Sequence, residues 1–138
     1  MTRIMSKTAL RATLLAAAML AAPQLIAIAA AQGVPAKTAN TSKGQAFVDA
    51  KGMTLYTYDK DTTPGKSACN GPCATNWPPL AATSGTGSGD WSVVTRDDGT
   101  KQWAYKGKPL YTWAKDSKPG DATGDGLASN SWHVAKPQ

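Results

Sequence analysis

The sequence predicts a small all-β domain made of two pseudo-symmetric antiparallel β repeats with one short helical turn. Three observations carry that reading. The stretch LYTYDKD at residues 55–61 returns 55 residues later as LYTWAKD at 110–116. Within both stretches side-chain character alternates with a period of two, as in a strand, instead of about 3.6 as in a helix. Glycine-containing turn signals punctuate the rest, with Lys-Gly before each stretch and Asp-Gly at 98–99.

The repeat is broader than its most visible stretch. At the same offset Lys51-Gly52 matches Lys106-Gly107, Pro64-Gly65 matches Pro119-Gly120, Gly71 matches Gly126 and Trp77 matches Trp132. The copies therefore cover residues 41–79 and 96–134. Two copies are too few for a solenoid, so the expectation is one pair sharing one core.

Residues 1–11 carry three positive charges and no negative one, and the twenty that follow are almost wholly apolar. This is the pattern of a secretory signal peptide, with small residues at Ala29 and Ala31 that place cleavage after residue 31. No cysteine follows the apolar stretch, so no lipid attachment point is expected. The expectation is a secreted or periplasmic protein without a transmembrane span once the leader is removed. The remaining 107 residues keep 12 Lys and Arg against 9 Asp, a net charge of +3. These lysines are scattered along the chain, which reads as solvated surface and excludes a nucleic-acid footprint.

The elements follow in order. Residues 32–43 are polar and read as a flexible N-terminal segment ahead of a single β domain over 44–138. AFVDA and LYTYD are strands joined through Lys51-Gly52. CATNW makes a helical turn that Pro78-Pro79 stops. Residues 83–90, TSGTGSGD, form a Gly/Ser linker between the copies. WSVVTR, KQWAY, LYTWA and SWHVA complete the strands. The alternation places Tyr56, Tyr58, Tyr111 and Trp113 on aromatic faces.

Taken together, GMTLYTYDKD, CNGPCATNWPPL, DGTKQWAYKGKPLYTWAKD, and PGDATGDG followed by WHV resemble the bacterial secreted-repeat family of predicted envelope lipoproteins with a Tyr-x₄-Asp motif. The resemblance covers about residues 44–134. It places the motif on Tyr56 and Asp61 and on Tyr111 and Asp116, and it implies an exported protein without supplying a mechanism.

Elementary chemistry gives those four residues a scaffold role. An aspartate at the end of a strand accepts N–H groups from the turn that follows, and Pro-Gly then suits a type II turn. A buried tyrosine needs a partner for its hydroxyl. A sharper reading makes Asp61 and Asp116 an acid/base pair across a shared cleft. Cys69 and Cys73 are expected to form a disulfide, since an exported chain meets oxidising conditions and their C-x₃-C spacing fits neither zinc nor thioredoxin-like centres. Residues 121–126 imitate the start of a calcium loop through Asp121, Thr123 and Asp125, but Trp132 stands where the twelfth-position glutamate belongs.

No catalytic residue, cofactor or metal ligand is therefore expected, and the chain reads as a non-catalytic binding or structural domain. Its expected partner is a cell-envelope component or a glycan, for which Trp77, Trp113 and Trp132 would be the platform. The alternative is an extracytoplasmic redox or metal- or haem-handling protein using Cys69, Cys73 and His133, where soft sulfur and imidazole donors suit such metals.

Overall fold

The structure is a computed structural model and describes residues 34–83 and 86–138. The signal-peptide assignment lies outside the described residues, as does part of the 83–90 linker. The chain forms β1 (Lys37–Thr41), β2 (Gly44–Val48), β3 (Tyr56–Tyr58), α1 (Pro72–Asn76), β4 (Trp91–Thr95), β5 (Lys101–Tyr105), β6 (Lys108–Pro109), α2 (Leu127–Asn130) and β7 (Trp132–Val134). All strand pairs are antiparallel, in sheets ordered β1-β2, β3-β7 and β4-β5-β6. The fold is all-β, as the alternation predicts.

Two corrections concern segments. Residues 37–41, expected to belong to a flexible lead-in, form β1 and pair along their whole length with β2, from Lys37 opposite Val48 to Thr41 opposite Gly44. Polar composition does not exclude an edge strand, because an antiparallel ribbon can show one face to water. The second motif stretch, LYTWA, is not a strand: Tyr111 makes isolated bridges to Tyr56 and Pro79. Prolines at 78, 79 and 109 lack N–H donors, so the ladder on this side cannot extend.

The turns follow their residue chemistry. At Asp98-Gly99 the Asp98 carboxylate accepts the Thr100 N–H at 2.9 Å and its hydroxyl at 2.6 Å, while Gly99 takes φ +83°. β5 and β6 join through Lys106 and Gly107, both at positive φ, the backbone of a two-residue type I′ hairpin. Pro72 opens α1, where a missing N–H costs nothing. α2 is irregular: Ala128 and Ser129 lie in left-handed space, so it is a left-handed turn leading into β7 and not a regular helix.

The two copies exchange their final strands. β7, at the end of the second copy, pairs with β3 of the first, and Phe47 N–H donates to Ala135 O at 2.8 Å. Residues 78–82, at the end of the first copy, lie against the second: Leu80 N–H donates to Leu110 O at 2.9 Å and Trp103 N–H to Leu80 O at 2.9 Å. Between them Tyr56 and Tyr111 exchange both backbone hydrogen bonds, at 2.8 and 3.0 Å. A pseudo-twofold axis passes through this pair.

The strand period then divides the core. Leu55 and Leu110 enter one buried cluster with Ala36, Phe47 and Ala135, and Trp91 and Tyr105 close it edge-on against Phe47. Tyr56 and Tyr111 enter the other with Ala46, Cys69, Trp77, Ala122, Trp132 and Val134. Neighbours in sequence thus serve opposite faces, and both faces are covered.

Candidate functional site

The aromatic cluster contains a four-ring column. Tyr58 stacks on Trp132 at 4.2 Å, Trp132 on Trp77 at 3.7 Å with planes 3° apart, and Trp77 on Trp113 at 4.2 Å. Tyr58 and Trp113 are repeat equivalents, as are Trp77 and Trp132, so the column is symmetric about the same axis. Tyr56 meets Trp77 edge-on, and Tyr111 meets Trp132 in the same way.

The motif's polar ends cross this axis. Tyr56 donates its hydroxyl hydrogen to Asp116 Oδ2 at 2.5 Å, and Tyr111 donates to Asp61 Oδ2 at 2.6 Å. Each tyrosine therefore meets the aspartate of the other copy. The second oxygen of each carboxylate closes its own loop seven residues on, Asp61 Oδ1 accepting Ala68 N–H at 2.6 Å and Asp116 Oδ1 accepting Thr123 N–H at 3.0 Å. Burial, reinforced by the bond to the carboxylate, pushes both phenols well above their ordinary value. Burial also raises the Asp61 carboxyl, against the Ala68 N–H, the Tyr111 hydroxyl and the positive Arg96.

The surroundings of the two pairs differ. The Tyr56 hydroxyl oxygen accepts Gly124 N–H at 3.3 Å. The Tyr111 hydroxyl shares a 2.7 Å bond with Ser67, whose oxygen accepts from Arg96 Nη1 at 3.0 Å. Arg96 is only 4% exposed and also donates to Gln102 Oε1 at 2.7 Å and to the Cys69 carbonyl. Gln102 Nε2 in turn donates to Leu110 O at 2.7 Å. Among the described residues no carboxylate forms an ion pair with Arg96, so its charge is solvated by oxygen dipoles and by the nearby Asp61. Nothing in WSVVTR marked Arg96 as buried, since an arginine at a strand end reads as surface.

The remaining sequence candidates disperse. Asp61 and Asp116 do not line one cleft: the hollow of about 110 Å³ beside Asp61 is bounded by residues 60–63 and 66–68 of its own loop. Cys69 and Cys73 form the disulfide, with Cα atoms 5.2 Å apart, within the ordinary range. His133 Nε2 lies 2.8 Å from Asp59 Oδ2. Asp121 caps residues 117 and 118 and pairs with Lys118 at 2.7 Å, Thr123 serves Asp116, and Asp125 accepts Val134 N–H, so the calcium-like oxygens have separate employments. The tryptophan platform needs correction. Trp77 and Trp132 are buried in the column, because stacking on each other removes their faces from water, and only Trp113 is partly exposed.

One surface feature was hidden by the sequence. A groove of about 210 Å³ is floored by Leu110, Val134 and Ala135 and rimmed by Lys106, Lys108, Lys136 and His133. Up to 30 residues separate these cations in the chain, and the exchange of β7 brings them together.

Among the described residues no helix is long and apolar enough to cross a membrane. No curated protein and no solved structure shows significant similarity to the chain. A family described as a secreted repeat of unknown function matches residues 37–81 and 92–136. Each of those ranges supplies one tyrosine and one aspartate to the crossed pairs, and with both copies matched the chain belongs to that secreted-repeat family.

Proposed function

We propose that this exported protein works at the cell envelope, in the periplasm or outside the cell, as a non-catalytic binding or structural domain. The observation that carries the reading is the use of the motif's polar atoms within the fold. Both hydroxyls and both carboxylates of the motif are hydrogen-bonded inside the molecule, and among the described residues no buried side-chain nitrogen or oxygen lacks a partner. Groups engaged in this way stabilise a scaffold, and the surface is left to make contacts.

The test is the behaviour of Tyr56→Phe and Tyr111→Phe. The reading expects each to lower the melting temperature while leaving any binding measured on the folded protein intact. Turnover of a substrate that either change abolishes in still-folded protein would overturn it. The redox alternative is tested on the same samples by thiol labelling and metal analysis, where a disulfide that cycles or a stoichiometric metal would favour it.

A further inference from the structure

We propose that the groove beside β7 binds the phosphate group of an envelope phosphoester, an inference that rests on the non-catalytic binding reading above. Its rim carries three ammonium groups and an imidazole, and its one acidic side chain, Asp59, is already engaged by His133. Lysine presents a compact point charge suited to phosphate, whereas planar carboxylates are better matched by the arginine fork, and no arginine lines the groove. Donors converge there already. The Gln138 main-chain oxygen accepts the Tyr105 hydroxyl hydrogen at 3.2 Å and one from Lys106 Nζ at 3.3 Å.

The pseudo-twofold supplies a second argument. At the repeat offset Lys106 keeps a counterpart in Lys51, whereas Lys108 corresponds to Met53, Lys136 to Ala81 and His133 to Pro78, and Asp59 corresponds to Ala114. The scaffold residues are kept in both copies, yet Lys108, Lys136 and His133 are basic in one only. The fold is therefore built without these three basic residues at the equivalent place, and their clustering beside Lys106 is not a requirement of the core. The floor at Leu110, Val134 and Ala135 is buried, so the contacts open to a ligand are those of the polar rim.

The experiment is amide NMR titration of the whole exported protein with glycerol 3-phosphate, beside the triple variant Lys106→Gln, Lys108→Gln, Lys136→Gln. Saturable shifts centred on residues 105–110 and 133–136, weakened roughly tenfold or more in the variant, support the site, since the variant removes all three ammonium contacts at once. The variant changes exposed side chains and is expected to melt with the wild type. Vesicles of phosphatidylcholine with and without phosphatidylglycerol separate the sources: sedimentation with the anionic vesicles, lost in the variant, assigns the phosphate to a lipid headgroup, and binding of the soluble ester alone assigns it to a soluble or polymer-borne ester. Absent shifts, or shifts spread evenly over all surface lysines, overturn the site. Release of inorganic phosphate from a bound ester would instead overturn the non-catalytic reading while leaving the site standing.

Discussion

Tyr56 reaches across the pseudo-twofold axis to the carboxylate of Asp116, 60 residues away, and not to Asp61, the aspartate of its own motif. Tyr111 makes the reciprocal reach to Asp61. The duplicated motif is thus a pair of mutual locks, and each copy supplies the acceptor that the other needs.

Double-mutant cycles read this crossing directly. Tyr56→Phe is expected to cost about 1–3 kcal/mol, because a hydrogen bond to a carboxylate is lost and the acceptor is left short of a partner in the interior. Combined with Asp116→Asn, it should show a coupling energy of about 0.5–3 kcal/mol in urea unfolding. Combined with Asp61→Asn, it should be nearly additive. The reverse pattern would place the bonds within each copy.

Alkaline titration probes the same phenols. Tyr56 and Tyr111 are held above the ordinary 10.0 first by burial and then by their bonds to Asp116 and Asp61. A folded value above the unfolded one gives stability that is complete below pH 10 and is lost as pH climbs beyond it. Phenolate absorbance from these two residues should therefore appear together with the loss of near-ultraviolet circular dichroism. Ionisation of all four tyrosines in a protein that keeps that signal would contradict the burial.

Acid stability has a different origin. The Asp98 carboxyl is lowered by the Thr100 hydroxyl and N–H, and that of Asp121 is lowered first by Lys118 and then by Ser117, so their contributions are present above 3.8 and fade as pH falls. Asp61 is raised by burial, and its protonation is favoured in the fold, so it works in the opposite direction. Melting curves below pH 4 should flatten in Asp98→Asn and Asp121→Asn. In Asp61→Asn the melting temperature should fall at neutral pH and the acid slope should steepen, because the opposing group is gone.

Gly124→Ala tests the packing beneath the column. An added Cβ would stand 2.7 Å from one Trp77 ring carbon, 2.9 Å from another and 3.0 Å from a Tyr56 ring carbon. The backbone there needs no positive φ, so the effect is steric, and overpacking of this kind costs about 1–3 kcal/mol. A melting temperature unchanged from wild type would mean that the ring stack yields freely.

Arg96 is the buried residue with the most to lose. Arg96→Ala should destabilise by about 1–3 kcal/mol for each buried oxygen left without a donor, since Ser67, Gln102 and the Cys69 carbonyl lose a charged partner. Arg96→Lys should recover little of that loss, because an ammonium cannot span the same oxygens as the guanidinium fork. Full rescue by lysine, measured by thermal unfolding, would reduce the network to a point charge.

Much of the architecture was legible in the chain. The repeat offset, the period-two alternation, the Asp98-Gly99 and Lys106-Gly107 turns and the helical turn ended by Pro78 all depend on local chemistry, and all are found. The strand exchange was not legible, because a repeat establishes equivalence between Tyr56 and Tyr111 without saying which copy's aspartate either will meet. Arg96 was missed for a related reason: its oxygen partners come from two separated segments, residues 67–70 and Gln102, and local patterning is blind to them. The lysine groove is likewise a product of β7 crossing to β3. The tryptophan platform failed because aromatic content measures available surface, whereas stacking decides how much of it water sees.

The exchange of final strands bears on how such a protein could begin and how it must be finished. A chain holding one copy would have an unpaired β3 and a tyrosine without its carboxylate, yet two such chains could complete each other about the same axis. Gene duplication would then have turned an intermolecular handshake into an intramolecular one, and the cost is a delay. The first half cannot close until Trp132, His133 and Val134 are there to pair with β3, so its folding waits for the second copy.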